Sequence, residues 1–333
     1  PPGINGWAHG FMTFDLPGGY RGFGHGGDTI AFHSNLVVVP NLELGVFVST
    51  NGQGGDTLAD RLPAEIVKRF YAQGTAYPRS GSRELAAAAR VFDGTYMSTR
   101  RAYSGLEGFV GRLAGGVDVK VTSGGRLILS RGGQDRAYVL DGPVEQGRFI
   151  SAIDNQRIVF QVSEGYATAI QTASNTELLR RAPITDRLTT LIVLATLTGV
   201  ASVATLIGLP LRNRRDLRQN QIQARASLVQ AMQAGLWLAA LLFFGVFAAS
   251  ASDAQAIIYN WPGVPLVTAS ACALVAAVLT LLTIAALPAV WQGGRRVDSW
   301  SGLRKLFFST TVLIYASFSL LLAASGGLEP WSR

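Results

Sequence analysis

The spacing of apolar residues changes twice along this chain of 333 residues. Residues 7–14, 20–24, 32–39 and 44–49 are short runs rich in aromatic and β-branched side chains, parted by Pro17-Gly18-Gly19 and Pro40-Asn41. Such runs between turn signals predict antiparallel strands. Leu58, Leu62, Ile66 and Phe70 then recur at helical spacing behind a cap at Asp56 or Thr57, which predicts one closing helix. Residues 75–89 read as a linker, its first part rich in Gly, Pro and Ser. Between 90 and 182 the period settles at two, as in Val117-Val119-Val121 and Ile158-Phe160-Val162, with Gly, Asp and Asn turns at short intervals. Evenly spaced short strands predict a small all-β barrel or sandwich. Tyr96, Arg100, Arg101 and Tyr103 read as side chains lying along its rim.

Beyond 187 the pattern is that of a different solvent. Residues 188–211, 228–251, 264–291 and 306–325 are four apolar stretches free of Asp, Glu, Lys and Arg. At about 20 residues each they are long enough to cross a bilayer as helices, which makes 187–326 a four-helix transmembrane bundle. Arg212, Arg214, Arg215, Arg218 and Arg225 separate the first two spans, and Arg295, Arg296, Arg304 and Lys305 separate the last two. The loop 252–263 has neither Lys nor Arg. The positive-inside rule then places the basic loops in the cytoplasm and residues 1–187 outside it, in a multi-pass protein of the inner or plasma membrane. Tyr259, Trp261, Trp291, Trp300 and Trp331 fall at the interfaces. Ala231, Gly235 and Ala239 share a spacing of four, as do Ala269, Ala273 and Ala277, and Ala195 with Gly199, which suggests close helix packing. The uncharged spans argue for an anchor or a partner-binding platform over a transporter.

Composition supports this division. Charged residues make up 15% of the chain and hydrophobic ones 48%. The net charge of +8 comes largely from arginines beside apolar spans, so it points to a membrane and away from nucleic acid. Cys272, the one cysteine, permits no intrachain disulfide and reads as a small packing residue. His9, His25 and His33 are too scattered to suggest a metal site, and no metal or organic cofactor is implied. The opening Pro1-Pro2-Gly3 reads as the middle of a longer protein.

The chemistry converges on Gly24-His25-Gly26-Gly27-Asp28-Thr29. Read for spacing alone, this is a bulge or hairpin corner, with Asp15 and Asp28 as turn residues and His33 as a core or supporting histidine. The run from Tyr20 to Thr29, followed by Phe32-His33-Ser34, Val39-Pro40, Gly45-Val46-Phe47-Val48 and Asn51, resembles the end of a serine β-lactamase-related domain. That family includes class C β-lactamases, penicillin-binding D-alanyl-D-alanine peptidases and related esterases. Its third motif is Lys-Thr-Gly or His-x-Gly, and His25-Gly26-Gly27 is similar to the second form. The resemblance spans about residues 4 to 72. It implies a catalytic role for His25, substrate binding by Gly26, Gly27 and Thr29, and an oxyanion donor in the backbone N–H of Asp28.

The fold expected is thus an α+β fragment at 1–74, the antiparallel sheet and closing helix of a β-lactamase-like fold. The all-β barrel or sandwich at 90–182 and the all-α transmembrane bundle follow it. The activity implied is acyl-enzyme hydrolysis or transfer of an amide or ester, with peptidoglycan-type peptides or small esters and amides as substrates. The chain departs from the family in one respect. It has no Ser-x-x-Lys, since Glu65, Val117 and Gly302 stand three before the lysines, and no Tyr-x-Asn. The expected whole is the C-terminal part of a membrane-anchored serine hydrolase whose nucleophile lies elsewhere; this chain alone is expected to be inactive. The alternative is a non-catalytic envelope sensor or scaffold. Gly-x-Ser-x-Gly and Gly-Lys-Ser/Thr are both missing, so lipase-like and phosphate-loop chemistry have no support. Oligomeric state is not encoded in any of these patterns.

Overall fold

The computed structural model describes residues 6–29, 31–52, 54–72, 77–114, 116–172, 178–211, 218–250, 259–292 and 299–332. The chain divides into two compact units. One holds residues up to 100 together with 115–182; the other holds 101–114 and everything from 183 onward.

The first unit begins with five antiparallel strands in sequential order, β1 (Trp7–Ala8), β2 (Phe11–Asp15), β3 (Arg21–Asp28), β4 (His33–Val39) and β5 (Leu44–Thr50). Alternation decides which face is covered. Leu16, Val37 and Val39 are buried against Val67 of the helix α1 (Gly55–Phe70), while Phe11, Phe23, Leu36 and Phe47 stay exposed on the other face. One helix therefore covers one face of this sheet.

Two short helices, α2 (Arg83–Ala87) and α3 (Ala89–Phe92), lead into eight strands: β6 (Gly94–Ser98), β7 (Gly116–Val121), β8 (Leu127–Arg131), β9 (Gln134–Leu140), β10 (Arg148–Ser151), β11 (Arg157–Ser163), β12 (Tyr166–Thr172) and β13 (Leu178–Arg181). Each pairs antiparallel with its neighbour, and β13 pairs with β6, so the sheet closes into a barrel. Its interior is packed with side chains. Phe92, Phe149 and Phe160 meet edge to face with centroids 5.1 Å apart. Tyr96, expected at the rim, is fully buried among them and donates to the Phe92 carbonyl at 2.8 Å. Burial pushes its phenol up to about 12. Polar contacts tie sheet to barrel: Arg157 bridges Asp15 at 3.0 Å and Asp141 at 2.8 Å, and Asn155 donates to the Leu16 carbonyl.

The second unit contains α4 (Gly105–Ala114), which leaves the barrel between β6 and β7, and four long helices, α5 (Leu188–Gly208), α6 (Gln221–Ser250), α7 (Gly263–Gln292) and α8 (Gly302–Ser325). All four are long and apolar enough to cross a membrane. Their shared interior is partly polar. Gln233 donates to Thr280 and Thr283, Gln223 to the Val290 carbonyl, and Ser202 meets the Tyr315 hydroxyl at 2.9 Å. These glutamines, with Ala226, Ala234, Trp237 and Ala240, take the packed face of α6. Gly235 is exposed, so the expected stripe of Ala231, Gly235 and Ala239 is not the contact seam. In a bilayer an amide gains more from facing a partner helix than alanine does. Ala269 and Ala273 of α7 are fully buried, continued by Ala276. The loop arginines Arg212, Arg214, Arg215, Arg295 and Arg296 lie outside the described residues.

The expected fold class is corrected by this architecture. The chain runs from an N-terminal sheet to a closed eight-stranded antiparallel barrel and then to four C-terminal helices, in place of an α+β piece of a β-lactamase-like fold leading into a separate barrel or sandwich and an all-α bundle. Three features overturn it. Sheet and barrel form one unit, β13 closes on β6 to exclude a sandwich, and the region expected to be all-β gives up α4 to the helical unit.

Candidate active site

Every candidate residue from His25 to Thr29 lies on or just after β3. The strand continues straight through the glycines, pairing His25 with Leu36, Gly26 with Asn35, Gly27 with Ser34 and Asp28 with His33. Its ladder with β2 is shorter and runs from Arg21–Asp15 to Gly24–Met12. Among the described residues, Gly26 to Asp28 therefore extend past the end of β2 while still held by β4.

Alternation separates the candidates. His25 and Gly27 share the open face with Phe23, and Leu36 stands opposite His25; Gly26 and Asp28 point to the side covered by α1. The structure does not bring the His25 imidazole and the Asp28 carboxylate together. His25 is exposed, and its Nδ1 lies against the carbonyl of Gly26. Thr29 closes the turn into β4: its N–H and hydroxyl both donate to the Phe32 carbonyl, at 2.8 and 3.3 Å, and its Oγ1 accepts from the Phe32 N–H at 3.0 Å. It is a turn-forming residue here.

On the covered side the structure builds a cluster that spacing alone did not reveal. The His33 ring meets Asp28 at 2.8 Å, with His33 largely buried and Asp28 open to solvent. Asn35, buried on β4, donates to the Ala59 carbonyl of α1 at 3.2 Å. Nearby, protein crowding around the Asp60 carboxyl pushes its pKa up, although the residue as a whole keeps solvent contact. The Arg136 guanidinium opposes that shift, and Asp28 and Asp56 reinforce it. Asn35, Asp60 and Arg136 line a cavity of about 120 Å³ under the sheet. The available signal was the register: Asp28 and His33 flank a short turn, which makes them cross-strand partners. Among the described residues no three His, Cys, Asp or Glu side chains are placed to hold a metal ion.

Fold and composition define a class, that of proteins in which four helices suited to crossing a membrane follow a sheet-and-barrel unit. No family model matches the chain, and no curated protein does. The crystal structure of SurE with D-Leu is 22% identical to this chain, with a TM-score of 0.29 over 53% of this chain and 39% of that one. The crystal structure of SurE is 20% identical, with a TM-score of 0.28 over 53% and 38%. This chain thus spans about two fifths of the length of those proteins, and at such scores the likeness carries no argument.

Proposed function

We propose that this chain supplies the His25-Gly26-Gly27 strand to the acyl-transfer site of a membrane-anchored serine hydrolase of the β-lactamase/penicillin-binding type. The observation that carries the reading is the unequal length of the two ladders on β3: pairing with β2 stops at Gly24, and pairing with β4 runs on to Asp28. A strand that outruns its neighbour offers backbone donors and acceptors to an extended peptide or acyl substrate lying alongside, and glycines leave room for it. His25 on the open face then binds the substrate carboxylate or shares in proton transfer, and the Asp28 N–H is one oxyanion donor. A Ser-x-x-Lys nucleophile, a motif not found in residues 1–333, would on this reading be supplied by other polypeptide. Its place is the open sheet face with Phe11, Phe23, Leu36 and Phe47, which is too apolar to be left in water. Substrates are peptidoglycan-type peptides or small esters and amides. The basic loops support a cytoplasmic position for that end of the bundle, with residues 1–187 outside, in an inner or plasma membrane.

The same open apolar face favours a second reading, a non-catalytic envelope scaffold that uses it to hold another protein. One experiment separates the two. In the polypeptide that carries the serine, a fluorescent acylating β-lactam labels the wild type, and His25→Ala lowers labelling and ester turnover about tenfold or more. Labelling of the wild type with no loss in His25→Ala removes His25 from the site. A wild type that neither labels nor turns over ester leaves the scaffold.

A further inference from the structure

We propose that the cavity between the sheet, α1 and the barrel binds a small zwitterion, an α-amino acid about the size of alanine. Its walls all belong to the first unit. Phe14, Leu16 and Val37 of the sheet region, Pro63 of α1 and Ile153 after β10 give it an apolar lining. At about 120 Å³ it is somewhat smaller than the roughly 150 Å³ that takes one benzene, so it suits a ligand of about six non-hydrogen atoms.

Three polar side chains on these walls keep bonding capacity. Asn35 is 4% exposed; its Nδ2 donates to the Ala59 carbonyl, while its Oδ1 is buried and accepts no hydrogen bond. A buried amide oxygen without a donor is costly, and a ligand N–H removes that cost. Asp60 stands on α1 and Arg136 on the barrel strand β9. They are near enough for the Arg136 charge to act on the Asp60 carboxyl, yet among the described residues they form no ion pair with each other. Protein crowding disfavours the ionised Asp60, which therefore gains from a cation beside it. Arg136 is fixed by donating from Nη1 to Gln156 Oε1, and its guanidinium has further donors in the same planar fork.

Other acids on the walls are engaged. Asp15 meets Arg21 and Arg157, Glu65 meets Lys68, and Asp154 Oδ1 accepts from the Gln156 N–H at 2.8 Å. An α-amino acid carries both missing complements on one carbon. Its ammonium donates to Asn35 Oδ1 and Asp60, its carboxylate accepts from Arg136, and a short aliphatic side chain lies against Phe14 and Val37. A simple amine leaves Arg136 unanswered, and a simple carboxylate leaves Asn35 and Asp60 so. A metal ion is a poor fit, because among the described residues no three His, Cys, Asp or Glu side chains are placed to hold one. The site contains none of His25, Gly26, Gly27 or Asp28, and it stands whether or not the acyl-transfer reading holds.

Isothermal titration calorimetry on the full chain in neutral detergent tests this, with L-alanine, D-alanine, ethylamine and propionate as the probes. At least one alanine enantiomer should bind, with ethylamine and propionate about tenfold or more weaker, the factor for one lost hydrogen bond between charged groups. Asp60→Asn and Arg136→Gln should each weaken alanine by about the same factor. Ala64→Leu, which extends a longer side chain from the helix wall into the cavity, should remove binding. No binding of either enantiomer at tens of millimolar would overturn the proposal. So would ethylamine or propionate binding as well as alanine, or undiminished alanine binding in any of the three variants. If Arg136→Gln fails to fold, Asp60→Asn and Ala64→Leu decide.

Discussion

Gly24 lies flush against β4. A Cβ there would sit 1.7 Å from the Leu36 carbonyl oxygen, 2.7 Å from its carbon and 3.1 Å from the Val37 Cα, all backbone atoms that cannot swing away. Two residues on, a Cβ at Gly26 would meet only Ser34 O at 3.5 Å and Asn35 Oδ1 at 4.0 Å, which are ordinary contacts. Gly24→Ala must therefore part β3 from β4 by more than 1 Å. That displacement breaks about two ladder hydrogen bonds at about 1 kcal/mol each and adds about 1–3 kcal/mol of overpacking, for a total of about 3–5 kcal/mol. Gly26→Ala should cost within about 0.5 kcal/mol. Hydrogen exchange followed by mass spectrometry on the full chain reads both: β3–β4 peptides of Gly24→Ala should lose about two to four orders of magnitude in protection, and those of Gly26→Ala should match the wild type. The pair also separates two uses of glycine. If Gly26→Ala keeps its protection but loses acyl labelling, its glycine serves the substrate; Gly24 serves the ladder. Wild-type exchange in Gly24→Ala would refute the steric argument, and loss of the fold in Gly26→Ala would refute the division of labour.

Two further outcomes test other parts of the chain. Asp186 is held by Arg101 and Arg112 at 3.0 Å each, with all three side chains 13–16% exposed. Asp186→Asn leaves two largely buried guanidinium groups facing a neutral amide, and should raise exchange across α4 by an amount corresponding to about 2–4 kcal/mol; unchanged α4 protection would show that the cluster does not hold that helix. Asp60 has a folded pKa above that of an unfolded carboxyl, so its contribution is fully present below about pH 3.9 and is lost as pH rises through the raised value. Asp60→Asn should thus melt higher than the wild type at pH 7 and no higher at pH 3.5, and an advantage that grows toward acid would contradict the sign.

Much of this was readable where one local rule acts alone. The four apolar spans emerge as helices because length and the absence of charge suffice. The alternation at Val117, Val119 and Val121 points these residues inward as a period of two demands. What was missed depended on partners far away in sequence. Spacing ends β3 at Gly24 because glycines carry no side-chain period, yet β4 holds the strand to Asp28. The period of two places α4 in an all-β region, although Leu106, Phe109, Val110 and Leu113 follow the helical spacing, which interspersed glycines obscure. Barrel rather than sandwich hangs on one pairing, β13 with β6, between strands about 80 residues apart that no local pattern records. On α6 the alanine and glycine stripe looked like the seam, but Gln223, Gln230 and Gln233 outcompete it once the solvent is lipid.

The filled barrel also limits where chemistry can reside in the first unit. Eight strands enclose either a packed core or room for one small ligand. Here Phe92, Phe149, Phe160 and Tyr96 occupy the centre, with Leu85 buried in the same cluster. Arg181 fastens α3 across one end, donating to the carbonyls of Val91 at 3.3 Å and Ala167 at 3.2 Å, and to that of Asp93. A barrel packed and latched in this way acts as a rigid support. Its contacts with the sheet through Arg157 and Asn155 hold Asp15 and Leu16, where β2 turns toward β3 beside the Asp15–Arg21 pair. The other end of that ladder, Met12 with Gly24, lies at the start of β2, away from these contacts. Loosening the barrel's grip on Asp15, as in Asp15→Asn, should then raise hydrogen exchange at the turn between β2 and β3 while barrel peptides keep wild-type protection, and an equal rise in both would contradict it.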